Sequence, residues 1–484
     1  MRLPRLAAPA APEALDGPPA FAAALRHDYG SYLVSLGLIS LGNVVLLPII
    51  TAYLPPADLG LYSLVETTMI QGITFSLLGL KFAYLYYYAH APAGQRSSLF
   101  GATLLLAAAA SLFGGLVLWG LFSSATIMAR FDTVPLSQAW LVVPLLTFGA
   151  MQTILMTELR AARQAWLTGV IAVGQLAISL LGSLLLVAVY GLGLTGLLSA
   201  QLITGCLVTG LTLSLMRHRL RFHWQPAQMQ ALLRYGLPMM GSLMLRYSLD
   251  TLCRFLLAAL VSIEAAGLFL VANSIATIFD SLLALPFFTA WGGLVHHALR
   301  RPLAARIVGH AAGLAIALSS LLVLAILAAR PWLFDLLAHS PMPEAAGLFT
   351  LLLLGKAVML VRSPLTAGIL VTGHTGWATG NSLLGLVVFL VLIYPLARLW
   401  QVEGMAAALL IAHTTTTLVL VAQSWRHCRP QIDGRALWLG GVALCGALLG
   451  LTPAGSPAIL AALLGAALVA GLMAWRHPAD TEPV

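Results

Sequence analysis

The chain has 484 residues, of which 60% are hydrophobic and 8% charged. A soluble globular domain carries about 25% charged residues, so this chain lacks the side chains to cover a water-facing surface, and soluble enzymes and soluble binding modules are excluded. A net charge of +9 would suit nucleic acid. However, the basic residues sit in short gaps between apolar runs, where they set membrane topology, and no nucleic-acid partner is expected.

Residues 1–30, rich in Ala and Pro, read as a disordered cytoplasmic tail. The apolar stretch 31–54 exceeds the core of a cleaved leader, about 7–15 residues, and reads as a first span. A span needs about 20 mostly apolar residues. The candidates in order are 31–54, 59–80, 98–123, 138–158, 166–189, 192–215, 237–261, 265–289, 306–329, 346–369, 379–397, 403–424, 436–452 and 456–475. Only Tyr190-Gly191 separates the fifth from the sixth, and the last pair is short, so the count lies between 12 and 14. With the N-terminus inside, 18 of the 25 Lys and Arg fall in inside segments, 3 outside and 4 within spans. That asymmetry follows the positive-inside rule and places both termini in the cytoplasm.

The chain also repeats itself. Tyr29-Gly30 opens the first span and Tyr235-Gly236 the seventh, an offset of 206. LPPADLGLYSL (54–64) aligns with VSIEAAGLFLV (261–271), matching Gly60 to Gly267 at an offset of 207. The hairpin around Gly196 matches that around Gly404 at 208. Six spans per half is an even number, so both halves enter the membrane in the same direction. Such parallel repeats are related by an axis along the membrane normal, with a site near the midplane between them. The expected fold is an all-α polytopic membrane protein of about 14 transmembrane helices. Its first lobe is 31–235, its second 236–425, and 426–484 holds the final helix pair and a cytoplasmic tail.

No phosphate-binding GxxxxGK[ST] loop, HExxH or clustered Cys/His spacing is present. The four cysteines are scattered and read as free thiols. No cofactor, metal or catalytic residue is expected, which points to a transporter rather than an enzyme. The informative residues are charges inside spans, each costing about 2.5–3.5 kcal/mol on insertion scales. Arg246, Asp250 and Arg254 recur at i, i+4 and i+8, a stripe about 12 Å long on one helix face. Asp250 can pair with either arginine but cannot neutralise both. The stripe is either an ion ladder within the helix bundle or a grip for an anionic phosphate or pyrophosphate. Lys356 and Arg362 share the tenth span but not a face; Lys356 suits a central cavity, and Arg362, before the kinking Ser363-Pro364, lies nearer the cytoplasm.

Glu66 and Asp280 are the remaining buried carboxylates expected. A buried carboxyl can exchange a proton, which makes Glu66, Asp250 and Asp280 candidates for ion coupling, with a neutral hydrogen-bonded carboxyl as the alternative. At an offset of 207, Asn43 aligns with Asp250 and Glu66 with Asn273, so polar cavity lining recurs in both halves. Tyr84, Tyr86, Tyr87, Tyr88 and several Trp gather at span ends and read as an interfacial belt. The hydroxyls of Thr414 to Thr417, beside His413, should bond the helix backbone, and Gln152, Gln175 and Gln201 should join helices.

The segments ITAYLPPADLGLYSLVETTMI, LLRYGLPMM, DTLCRFLLAALVSIEAAGLFLVANSIA and VEGMAAALLIAH resemble the polysaccharide-transport flippases of the multidrug/oligosaccharidyl-lipid/polysaccharide exporter superfamily. The resemblance covers roughly residues 28–425. It implies two six-helix lobes around a cationic cavity and transport of undecaprenyl-pyrophosphate-linked oligosaccharides across the bacterial inner membrane by alternating access. It further implies that Arg246, Arg254 and Lys356 meet the pyrophosphate. A polysaccharide polymerase and assembly proteins are the implied partners, beside membrane lipid. The competing readings are a drug/cation antiporter of the same superfamily, which should carry an acidic cavity, and a membrane-embedded glycan-modifying enzyme, which should carry large outside loops.

Overall fold

The computed structural model describes residues 42–124, 139–162, 164–221, 226–298, 304–338, 343–372 and 376–450. The expected N-terminal tail, the start of the first span and the fourteenth span lie outside them. All regular structure among the described residues is helical. The first half holds α1 (Gly42–Tyr53), α2 (Pro56–Ser76), α3 (Leu80–His90), α4 (Ala93–Ser123), α5 (Val142–Ala161), α6 (Ala165–Ser183) and α7 (Gly193–Met216). The second holds α8 (Pro226–Leu260), α9 (Ile263–Phe279), α10 (Leu285–Ala298), α11 (Ala304–Ala328), α12 (Arg330–Ala338), α13 (Pro343–Leu365), α14 (Ala367–Thr372) and α15 (Gly376–Ser424), and α16 (Gly434–Gly450) follows.

Among the described residues, eight helices are long and apolar enough to cross a membrane, or nine when α2 and the bent α3 form one span. The protein is a multi-pass helical membrane protein, and the number fourteen is not reached within this set. Part of the difference is local. α15 carries two expected spans, divided at Trp400 and Gln401, where the backbone leaves the helical region. α8 is long enough to cross but carries Arg234, Arg246, Asp250 and Arg254, which hold its apolarity down. The close fifth–sixth boundary resolves into two helices: α6 continues as a π-helical segment, Leu184–Val189, and α7 begins at Gly193.

Local sequence explains the helix starts nearest the site. α2 opens with Pro at its first position and Asp58 in its first turn, where a missing N–H costs nothing and negative charge meets the helix dipole. α9 is capped by Ser262, whose hydroxyl accepts from the Ala265 N–H at 3.2 Å. α9 then passes into a π-helical turn, Asp280–Ala284, a geometry frequent at functional sites.

The two halves meet along α2 and α9, while α8 packs on α2, α3, α9 and α15, and α13 packs on α9, α11 and α15. The contact between α2 and α9 is backbone to backbone at the glycines matched in the repeat. A Cβ on Gly60 would lie 1.9 Å from the Ile263 carbonyl oxygen, and one on Gly267 would lie 2.9 Å from the Gly60 nitrogen. Only glycine permits that approach, as in small-residue packing of membrane helices generally. A continuous apolar core, with Leu47, Tyr62, Phe269, Phe279, Phe349 and Phe389, runs through both halves.

Candidate functional site

The charges expected inside spans converge from different helices. Glu66 sits near the middle of the 21-residue α2, about 15 Å along its axis. Its carboxylate accepts from Arg254 Nη1 of α8 at 3.0 Å. The side chains are 19% and 8% exposed, respectively. Arg254 also donates to the Ser63 carbonyl at 3.4 Å and lies over the Phe269 ring of α9. One guanidinium thus holds α2 and α9 from α8, joining the two halves. Its Nε and the Ser63 hydroxyl are buried with no protein partner, so the arginine retains a donor for a small polar guest. Beside Glu66, one turn earlier on α2, the Tyr62 hydroxyl accepts from Gln201 Nε2 of α7 at 2.8 Å, which is the helix-joining role expected of that glutamine.

The second pair lies within the second half. Lys356 of α13 donates to Asp280, the first residue of the π-helical turn after α9. Both side chains are partly exposed, so a competing anion can reach them. Around Lys356 the structure gathers a third group. His413 of α15 is within electrostatic reach of Asp250, Arg362 and Lys356, and its ring packs at Gly355 of α13. Asp250 is exposed on α8, and Arg362 is half-buried in the last turn of α13. Asp250 of α8, Lys356 and Arg362 of α13 and His413 of α15 therefore lie in one region, although Lys356 and Arg362 do not share a helix face.

Of the stripe Arg246, Asp250 and Arg254, the structure gives Arg254 a partner from outside α8. Arg254 is ion-paired with Glu66 of α2 rather than standing as an uncompensated cation. Arg246 lies in α8 and Asn43 in α1, but their side chains fall outside the described residues. Asn273 is half-buried on α9. α13 runs on through Pro364, ends at Leu365 and is followed by the short α14, so the proline marks the end of the helix. The hydroxyls of Thr414, Thr416 and Thr417 bond backbone carbonyls one turn back, as expected. Among the described residues, no cluster of three or more His, Cys, Asp or Glu could hold a metal.

Two residues escaped the sequence reading. His413 gave no signal beyond its place in a threonine run. Glu158 is a buried carboxylate that the reading passed over, at the end of the expected fourth span. It accepts from the Tyr84 hydroxyl and lies 3.7 Å from Arg219 Nη1. Tyr84 is completely buried, which removes it from the expected interfacial belt. An in-span Glu is itself the signal that identifies Glu158.

A sequence model described as polysaccharide biosynthesis protein matches residues 26–291, more than half of the chain. The chain belongs to that family. Among curated proteins no sequence matches it. Solved structures do resemble it. A lipid II flippase, MurJ, in an inward closed conformation is 10% identical, with a TM-score of 0.69 over 94% of this chain and 98% of that one. An inward-facing multidrug resistance MATE family transporter of the MOP superfamily is 15% identical, with a TM-score of 0.63 over 86% and 99%. A MOP superfamily transporter from Pyrococcus furiosus, described as having a binding pocket of reverse polarity, is 15% identical, with a TM-score of 0.53 over 87% and 96%. At such identities the likeness is one of fold. The family is the polysaccharide biosynthesis one, and the fold is that of the solved lipid II flippase and multidrug transporter structures.

Proposed function

We propose that the protein flips undecaprenyl-pyrophosphate-linked oligosaccharide units across the bacterial inner membrane by alternating access, for cell-surface polysaccharide synthesis, with both termini in the cytoplasm. It performs no covalent chemistry; the two moving lobes are those expected at 31–235 and 236–425, with the whole of α8, which runs across that boundary, moving with the second. The observation that carries this reading is Arg254, buried between the halves and paired with the mid-helix Glu66, with Nε left without a partner. Lys356, held by the partly exposed Asp280, supplies a second cation under the same arrangement. Arg246 and Arg362 complete the anionic headgroup site, and Asn43 and Asn273 line the cavity around it.

The charge logic is an exchange. Guanidinium binds phosphate and carboxylate through the same paired donors, so the pyrophosphate takes Arg254 and Lys356 from Glu66 and Asp280. The released carboxylates, with Asp250, are then free to take up protons or a cation, which couples the cargo to an ion gradient. In the empty protein the same carboxylates neutralise the cations, so the site is not left with an uncompensated buried charge.

A drug/cation antiporter is the second reading, favoured by the MATE-like fold and by Asp250, exposed on α8. One experiment separates the two. In a strain dependent on this protein for surface glycan, the double variant Glu66→Leu with Arg254→Met should insert normally and trap lipid-linked glycan on the cytoplasmic leaflet. Normal surface glycan in that variant would remove Arg254 from the headgroup site. Drug resistance that follows expression of the protein, with glycan unaffected, would replace the first reading by the second.

A further inference from the structure

The four-tyrosine helix α3 has two faces, each serving a different half of the molecule. Tyr84 and Tyr88, spaced i and i+4, lie on one face. Tyr84 donates to Glu158 of α5, which Arg219 approaches from beyond α7, and Tyr88 lies under the Arg96 guanidinium of α4 at 4.7 Å. These contacts all tie α3 to the first half. Tyr86 faces the other way, and Tyr87 lies between the two faces. Tyr86 stacks on Tyr235 of α8 with ring centroids 4.6 Å apart and planes 17° apart, and Tyr87 meets the same ring edge-on at 6.2 Å. The Tyr87 hydroxyl reaches the Ala231 carbonyl of α8 at 3.4 Å.

The junction between α2 and α3 is unusual as well. The two helices meet at 43°. Leu78 and Gly79 between them both have positive φ, 48° and 69°. That region is disfavoured for a leucine, so the bend is held by its surroundings. What holds it is the second half: a Cβ on Gly79 would lie 2.0 Å from the Gly236 carbonyl oxygen. Leu78 carries the strain and Gly79 adopts its conformation freely, and together they fix the angle at which α3 crosses the second half.

We propose that α3 is the inner gate of the transport path, set across α8 by the bend at Leu78-Gly79, held to the first half by Tyr84–Glu158 and latched to the second by Tyr86 stacked on Tyr235. In the closed state the latch seals the cytoplasmic end of the seam between α2 and α8. Opening separates Tyr86 and Tyr87 from α8 and leaves Tyr84 on Glu158, so α3 travels with the first half. The run of tyrosines then has a mechanical reason: Tyr84 and Tyr88 meet fixed partners, and Tyr86 and Tyr87 meet a departing one. The inference rests on a transport cycle in which the halves separate, and not on the identity of the cargo.

The test therefore reads the gate without the cargo. In full-length protein with its four native cysteines replaced, Tyr86→Cys and Tyr235→Cys are joined by a short bifunctional thiol reagent with a cleavable spacer. Asp250→Cys is then added as a reporter after cleavage and re-closure are established with the pair alone. In inside-out vesicles, an impermeant maleimide should label the reporter at least tenfold more slowly once the pair is cross-linked with the reporter thiol protected and then unmasked. Cleaving the spacer should restore the rate. A pair that does not cross-link, or a reporter labelled equally fast in both states, overturns the gate. A second variant guards against a loss caused by misfolding: Tyr235→Phe keeps the stack and should label as the parent does, while Tyr235→Ala should label faster. Equal labelling of those two variants also overturns it. Loss of glycan transport with a working gate would instead count against the cargo assigned above.

Discussion

Glu66 of α2 and Arg254 of α8 meet at 3.0 Å although 188 positions separate them in the chain. Removing one partner strands the other in a largely buried site, which typically costs about 3–5 kcal/mol, whereas replacing both by apolar groups of similar volume is often close to neutral. Glu66→Leu and Arg254→Met should each lower the thermal unfolding midpoint in detergent strongly. The double variant should recover most of that loss and still fail to support surface glycan. Recovery of both stability and glycan in the double variant would show that the pair is structural only.

Lys356 and Asp280 allow the complementary test, because both are partly exposed. A charge-assisted hydrogen bond contributes about 1.5–3 kcal/mol. Lys356→Ala should therefore weaken binding of undecaprenyl pyrophosphate by roughly tenfold or more. Asp280→Asn removes the competitor for the ammonium group and should tighten binding while slowing transport. Binding measured by titration on purified protein, beside transport in vesicles, checks both directions. Weaker binding in Asp280→Asn would contradict the exchange of carboxylate for phosphate.

The helical class and most helix positions were legible because membrane spans are written in consecutive residues. Uncharged runs of about 20 residues have few other uses. The charges of α8 were legible for the same reason, since an in-span Arg or Asp stands out in apolar surroundings. Their partners were not. Helical spacing reveals i and i+4 neighbours, and it offered Asp250 to Arg254, whereas the structure supplies Glu66 from another helix. The Asp280–Lys356 pair likewise joins two helices, and Asp280 opens a π-helical turn that no local pattern announced. The tyrosines of α3 failed for a different reason. Composition alone cannot distinguish an aromatic belt from aromatics packed between helices, and Tyr84 proved fully buried.

The repeat offers a packing test. Gly60 faces the Ile263 carbonyl so closely that an added methyl would sit 1.9 Å from it. Gly60→Ala should force α2 and α9 apart and destabilise the protein by about 1–3 kcal/mol, the usual cost of overpacking. Gly174→Ala is the matched control, because a Cβ there meets nothing within 4 Å. It should leave stability unchanged or raise it by up to about 1 kcal/mol through helix propensity. Thermal unfolding of the two variants in the same detergent decides the matter; equal midpoints would mean that the glycine contact does not hold the seam.

The Tyr84–Glu158 bond gives the last prediction, and it separates hydrogen bonding from charge. Tyr84→Phe deletes the hydroxyl and leaves the ring in place, so Glu158 loses its donor while still buried, with Arg219 at 3.7 Å as its remaining partner. A buried acceptor deprived of its partner costs about 1–3 kcal/mol. Glu158→Gln keeps a carbonyl acceptor for the tyrosine and gives up the attraction to Arg219, a loss moderated because the arginine side chain is 27% exposed. Unfolding midpoints should therefore fall further in Tyr84→Phe than in Glu158→Gln. In the double variant the two effects should be less than additive, because the residues share one bond. Strict additivity in that cycle would mean that the hydroxyl and the carboxylate act independently, and that α3 is held to the first half by packing alone.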